Sequence, residues 1–97
     1  MYYVYILQSA KDGKLYFGYT NDLRSRVAQH NRGETPSTKN RRPLKLVYYE
    51  SYINRYDAKR RELFLKGGKG HRELKVQLRD TFRLTNYRYS GRSTLPA

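Results

Sequence analysis

Arg26 and His30 are a pair of residues whose types and spacing could belong to a chemical site. A helix of about ten residues, following the capping residues 20–22, places them at i and i+4, so they are neighbours on one face. Leu23 and Val27 share that face, which should dock on a sheet, and solvated charges normally avoid such a stripe. The ordinary alternative is an arginine that extends past the core and a histidine at a helix C-terminus.

Glu62 is a single acid in a cationic stretch, residues 59–62. A carboxylate in such surroundings could hold Mg²⁺, which often takes one or two carboxylates and completes its shell with water and substrate phosphate. An ion-paired surface glutamate is the alternative. Tyr5 and Tyr16 lie on the two arms of a predicted hairpin, within reach of each other. They could serve a site, or they could simply pack against each other.

Basic residues occur in two clusters, residues 39–42 and 55–61, with tyrosines between them. This pattern is typical of phosphate contacts combined with base stacking, although a solvated basic face would have the same composition. We expect nucleic-acid contacts from Lys14, Lys39, Arg41, Arg42, Arg61, Lys66 and Lys69.

The composition limits the classes of protein to consider. The 97 residues carry 21 Lys+Arg against 8 Asp+Glu, a net charge of +13, which favours polyanionic partners. There is no cysteine and there are two histidines, which exclude disulfides and make thiolate or multi-histidine zinc sites implausible. No apolar run approaches the length of a membrane span and no signal-peptide pattern is found, so we expect a cytoplasmic protein without membrane contact.

The elements that must position these residues follow from hydrophobic patterning and turn residues. The sequence predicts an α+β fold in the order β-β-α-β-α-α, with a small, largely antiparallel three-stranded sheet flanked by helices. The predicted strands are 2–8, 15–19 and 44–52, and the predicted helices after the first are about 55–66 and 71–82. The glycine-rich stretch 67–70 is predicted to separate the last two helices as a mobile loop facing phosphate. We expect one domain over residues 1–82 and a basic, flexible tail over residues 83–97.

These pieces resemble the GIY-YIG endonuclease superfamily when taken in order. The resemblance rests on Tyr3-Val4-Tyr5-Ile6-Leu7, Leu15-Tyr16-Phe17-Gly18-Tyr19-Thr20-Asn21-Asp22-Leu23, Arg26-x-x-x-His30-Asn31-x-Gly33 and Ala58-x-x-Arg61-Glu62-x-x-x-Lys66. It covers residues 2 to about 78 and is greatest for small single-domain bacterial members, which resemble the N-terminal nuclease domain of the bacterial excinuclease. The first motif has Tyr and Val for Gly and Ile, the second has Phe for Ile, and an asparagine often found after the glutamate has no clear counterpart.

The resemblance implies a hydrolytic endonuclease that uses one divalent ion, Mg²⁺ or Mn²⁺, bound at Glu62. Arg26 would stabilise charge on the phosphate, and either Tyr5 or Tyr16 would accept a proton from the attacking water. His30 would relay that proton or hold a tyrosine in place.

The substrate implied is DNA more than RNA, as in DNA repair. A domain of this size has little surface for reading bases, so it would act on DNA structure or rely on a targeting partner or a homo-oligomer for target choice. The alternative is a basic module with the same fold that binds DNA or RNA without cutting it.

Overall fold

A three-stranded antiparallel sheet is the centre of the structure, a computed structural model that describes residues 1–87. The elements in chain order are β1 (Tyr2–Ser9), β2 (Leu15–Thr20), α1 (Leu23–Asn31), a 3₁₀ turn (Lys39–Arg41), β3 (Leu44–Tyr52), α2 (Arg55–Lys66), α3 (Gly68–Gln77) and α4 (Arg79–Leu84). The strand order is β2-β1-β3, and both pairings are antiparallel. The predicted α+β class and the order β-β-α-β-α-α are confirmed, with the last predicted helix divided into α3 and α4.

The central strand β1 is buried on both faces, and its side chains alternate between them. Val4 and Ile6 enter one apolar cluster, whereas Tyr5 and Leu7 enter a second cluster on the opposite side of the sheet. The alternation arises because successive strand residues point to opposite faces. We call the side of Tyr5 and Leu7 the α1 face and the side of Val4 and Ile6 the α2 face.

The α1 face is covered by the first helix. The carboxylate of Asp22 caps it by accepting the backbone N–H of Ser25 at 3.2 Å. Leu23 and Val27 then pack on the cluster around Tyr5, as their spacing predicts. This short helix therefore carries its polar residues across the same face of the sheet.

The α2 face holds most of the apolar core. Ala58 and Leu65 of α2 pack with β1, and α3 and α4 extend the cluster, with Leu74, Leu78 and Phe82 all buried. Within residues 1–87, no helix combines the length and apolar composition needed to cross a bilayer.

The glycine-rich stretch after α2 differs from the prediction of a mobile loop. Gly68 is the first residue of α3, and Gly70 is buried within that helix's first turn. A Cβ atom at position 70 would collide with the carbonyl group of Phe64 in α2, so the glycine lets the two helices approach closely. Its place is therefore determined by packing and not by flexibility.

The chain continues to pack beyond residue 82, where the sequence placed the end of the domain. Helix α4 extends to Leu84, and the ring of Tyr87 lies 4.8 Å from that of Phe82, centroid to centroid. The side-chain amide of Gln8 also donates to the carbonyl of Thr85 at 3.1 Å. Residues 88–97 of the predicted tail lie outside the described residues.

Candidate active site

The α1 face contains a buried hydrogen-bonded chain that joins β1, α1 and the loop after α1. The hydroxyl of Tyr5 lies 2.8 Å from Nε2 of His30, and Nδ1 of His30 lies 2.7 Å from Oγ1 of Thr38. All three side chains are at most 2% exposed. Because both ring nitrogens are engaged, the imidazole orientation is fixed from two sides.

The protonation states in this chain follow from its burial. Burial lowers the pKa of His30, and the positive charge of Arg26 lowers it further, so the imidazole is neutral at physiological pH. A neutral imidazole donates from one nitrogen and accepts at the other. In one tautomer Tyr5 donates to Nε2 and Nδ1–H donates to Thr38, and the other tautomer reverses the direction of both bonds. The chain can therefore shift a proton along its length.

Tyr5 and Tyr16 lie close together, as the predicted hairpin requires, but Tyr5 is buried and Tyr16 is not. Their ring centroids lie 6.4 Å apart, and the Tyr16 ring lies 5.0 Å from that of His30. Burial raises the pKa of Tyr5 well above its ordinary value, and Tyr16 raises it further. Tyr16 is only half-buried. Tyr5 therefore keeps its proton, and Tyr16 is the more accessible of the two.

Gly18 makes room for the Tyr5 ring on the edge strand. The two residues are cross-strand partners in the β1–β2 ladder. A Cβ atom at position 18 would fall within contact of the Tyr5 ring carbon that bears the hydroxyl. Any side chain at this position would displace the ring, so Gly18 positions the Tyr5 hydroxyl over β2.

Arg26 and Glu62 act on the same tyrosine electrostatically. The guanidinium of Arg26 lowers the pKa of Tyr5, and the carboxylate of Glu62 raises it, each to a smaller degree than burial does. Arg26 belongs to α1, whereas Glu62 belongs to α2 on the opposite face of the sheet. Tyr5, Tyr16 and His30 are thus in mutual contact, and Arg26 and Glu62 act electrostatically on Tyr5 from helices on opposite faces of the sheet.

Glu62 has the chemistry of a hard-cation ligand. Its side chain is 18% exposed, and Oε2 accepts an ion pair from Nζ of Lys66 at 3.1 Å. Within residues 1–87 no group of three or more His, Asp or Glu side chains is arranged to hold a metal. A single carboxylate fits Mg²⁺ or Mn²⁺ when water and substrate phosphate supply the other ligands. Such an ion would compete with Lys66 for the carboxylate.

Three cations that the sequence assigned to nucleic-acid contact are held by partners within the protein. Arg61 donates from Nε and Nη2 to the carboxylate of Glu50 at 2.9 and 3.0 Å. Arg41 donates to Asp12 at 3.1 Å, and Lys66 pairs with Glu62. Arg61 is the most firmly held of the three, and its two bonds to Glu50 join α2 to β3.

The other four predicted contacts, Lys14, Lys39, Arg42 and Lys69, are exposed. Lys39 and Arg42 line a depression of about 440 Å³ together with Lys11, a residue that the motifs did not single out. Three cations in one concave patch are suited to phosphate.

Thr38 of the site and Glu50, the acceptor for Arg61, were missed in the sequence. Thr38 lies in a polar loop between serine and lysine, where nothing in the local pattern distinguishes it. Glu50 accepts hydrogen bonds from the hydroxyls of Tyr48 and Tyr52 as well as from Arg61. Its alternation with tyrosines along β3 is the one signal that could have identified it as a buried acceptor.

Comparisons with known proteins place the chain among sequences of one family. The chain matches the family described as the GIY-YIG catalytic domain over residues 1–75. It is 46% identical over 79 residues to the UPF0213 protein CPE1444 of Clostridium perfringens, covering 80% of this chain and 82% of that one. A UPF0213 protein of Pediococcus pentosaceus is 40% identical over 86 residues, covering 88% and 90%.

A solved structure is also similar. The solution NMR structure of the UPF0213 protein BH0048 from Bacillus halodurans matches with a TM-score of 0.52 and 32% identity, covering 89% of this chain and 94% of that one.

Proposed function

The chain belongs to the GIY-YIG family, and we propose that it is a divalent-metal-dependent endonuclease that hydrolyses phosphodiester bonds in nucleic acid, with DNA as the preferred substrate. The observation that carries this proposal is the contact of two tyrosines with the buried His30, together with the electrostatic effect of Arg26 and Glu62 on Tyr5.

Tyr16 is the residue we assign to accept the proton of the attacking water. Tyr5 is excluded from that role by its burial, its raised pKa and its contact with His30. In the proposed step Tyr16 reacts as its phenolate. The water oxygen forms a bond to phosphorus, one water proton passes to the Tyr16 oxygen, and the bond from phosphorus to the leaving oxygen breaks, so that this oxygen leaves as an oxyanion that solvent protonates. The Tyr5–His30–Thr38 chain holds the rings in place.

Arg26 would bind the non-bridging phosphate oxygens. A guanidinium presents two parallel donors to a phosphate and keeps its charge at all working pH values. Its half-buried position on α1 allows it to donate in a partly water-excluded site, where such donors are most effective. Glu62 would hold the divalent ion, which when bound supplies charge stabilisation at the phosphate.

The test compares Glu62→Gln with Glu73→Gln, a matched change at an exposed glutamate on α3. Supercoiled, nicked, branched and single-stranded DNA, and RNA, are incubated with each protein with and without Mg²⁺ or Mn²⁺. We expect metal-dependent cleavage by the unmodified protein and by Glu73→Gln, and loss of cleavage by Glu62→Gln. Affinity measured in EDTA, where no divalent ion is present, should stay equal or rise for Glu62→Gln, because the site becomes more positive.

Arg26→Ala should lower the cleavage rate by about 10²–10³-fold, the effect of losing one transition-state donor. Cleavage by Glu62→Gln at the unmodified rate would refute the assignment of the metal ligand. Tight binding of nucleic acid by the unmodified protein with no cleavage of any substrate would instead favour the non-catalytic binding module.

A further inference from the structure

A groove of about 520 Å³ lies on the α1 face, between the start of α1 and strand β3. Leu23, Val27 and Leu46 provide apolar lining, and Tyr3 and Tyr49 provide two aromatic rings. These rings meet edge to face, with centroids 6.0 Å apart. Tyr49 is 52% exposed, so much of its ring is open to a ligand. A largely apolar cleft with exposed aromatic surface is the general form of a small-ligand site.

The groove adjoins the candidate active site through β1. Tyr49 of β3 is the cross-strand partner of Tyr5, and Gly18 of β2 is the partner of Tyr5 on the other side. Strands β3 and β2 are therefore separated by two inter-strand spacings, about 10 Å. A nucleic-acid strand with its phosphate at Arg26 can reach the groove by passing the start of α1.

The polar groups at the groove select the kind of ligand. The lining also includes Asn21, Asp22 and Arg24. The Asn21 side chain makes no hydrogen bond within residues 1–87, so its amide is available. The Asp22 carboxylate opposes a phosphate at that end, but it can accept a hydrogen bond from the exocyclic amino group of a base. Arg24 is exposed and can contact a backbone phosphate.

We propose that this groove binds one unpaired nucleobase of the substrate strand, stacked on Tyr49 with its polar edge toward Asn21. Aromatic side chains bind bases by stacking when the base face is exposed, as in single-stranded segments, whereas both faces are covered inside a duplex. The inference rests on the proposed function for the identity of the strand. It adds that the substrate presents a single-stranded or unpaired segment beside the cleavage site.

The test measures binding and not cleavage. Fluorescent DNA oligonucleotides are titrated in Ca²⁺, as single strands and as duplexes, with Tyr49→Leu and with Tyr56→Leu. Tyr56 is a suitable control because it is a tyrosine of α2, 62% exposed, outside the groove lining. We expect Tyr49→Leu to weaken single-strand binding by about 10-fold or more, the effect of losing one base stack. Duplex binding by Tyr49→Leu, and both kinds of binding by Tyr56→Leu, should be unchanged.

An abasic site moved along the strand identifies the base concerned. At one position it should weaken binding to the unmodified protein and leave binding to Tyr49→Leu unaffected. Tyr49→Phe keeps the ring and should retain single-strand affinity, which separates stacking from any loss of fold. Equal effects of the two leucine variants, equal loss on duplex DNA, or no position-dependent abasic effect would overturn the proposal. Absence of cleavage would refute only the nuclease assignment, because the binding results do not depend on it.

Discussion

Replacing Tyr5 and Tyr16 separately by phenylalanine should produce opposite effects on stability and on catalysis. Tyr5→Phe removes a buried hydroxyl and leaves Nε2 of His30 without its partner. An unsatisfied buried polar group costs about 1–3 kcal/mol of the free energy of unfolding. In a domain of this size each kcal/mol lowers the melting temperature by about 4–8 °C. Tyr16→Phe removes a half-exposed hydroxyl and should change the free energy of unfolding by about 0.5 kcal/mol or less.

The catalytic effects should be in the reverse order. If Tyr16 accepts the proton of the attacking water, its loss should slow cleavage by about 10²–10⁴-fold. Tyr5→Phe should slow cleavage less than Tyr16→Phe does, because Tyr5 acts by positioning His30. Urea unfolding gives the stabilities, and single-turnover cleavage in saturating Mn²⁺ at a temperature where both variants are folded gives the rates.

One result would refute this division of roles. A Tyr16→Phe variant that cleaves at the unmodified rate, beside a stable Tyr5→Phe variant that does not cleave, would assign proton abstraction to the buried tyrosine. It would also mean that the burial of Tyr5 does not hold its proton as its raised pKa implies.

Three further outcomes are expected. Arg61→Ala should lower the free energy of unfolding by about 1–3 kcal/mol through loss of a charged, bidentate hydrogen bond, whereas Arg60→Ala should not. Equal nucleic-acid affinities for the two variants would support the structural role of Arg61. Gly70→Ala should destabilise the protein by about 1–3 kcal/mol in urea unfolding, because its Cβ collides with the preceding helix, while Gly68→Ala meets ordinary contacts and should be neutral or stabilising. Burial lowers the pKa of both histidines, so below about pH 6.5 the unfolded chain binds more protons than the folded protein. The free energy of unfolding should therefore be smaller at pH 5.5 than at pH 7.5, and a larger value at pH 5.5 would contradict the buried, neutral state.

Local signals were sufficient to predict most of the elements. Residues 44–52 were predicted as a strand and form β3, and α2 starts after Asn54, whose side chain accepts the backbone N–H of Tyr56. Alternating apolar residues and capping side chains act within a few positions of the chain, so they can be read from a single sequence.

The start of α3 could not be predicted in this way. Glycine has low helix propensity, so three glycines over four positions indicate a break. The close contact of Gly70 with α2 outweighs that propensity, and such a contact is visible only when both helices are in place.

Site residues could be predicted only where reactive side chains are regularly spaced along one helix or strand, or where they match a known order of motifs. Arg26 and His30 lie four residues apart on one helix, and the burial of His30 against the sheet agrees with that spacing. Thr38 joins the site through a tertiary hydrogen bond, and the groove beside Tyr49 depends on how far α1 extends across β3. Neither feature has a local signal in the sequence.

Side chains along β1 alternate between the core and the candidate site, so activity should depend on the correct register of this strand. Val4 and Ile6 serve the core while Tyr5 serves the candidate site, so a shift of strand register by one residue would exchange their faces. Such a shift would withdraw the tyrosine from His30 and place it among apolar side chains at the same time. A chain misregistered at β1 would lose its core and its chemistry together, so a stable but inactive register isomer should not accumulate. Active fraction and folded fraction should therefore rise together during refolding.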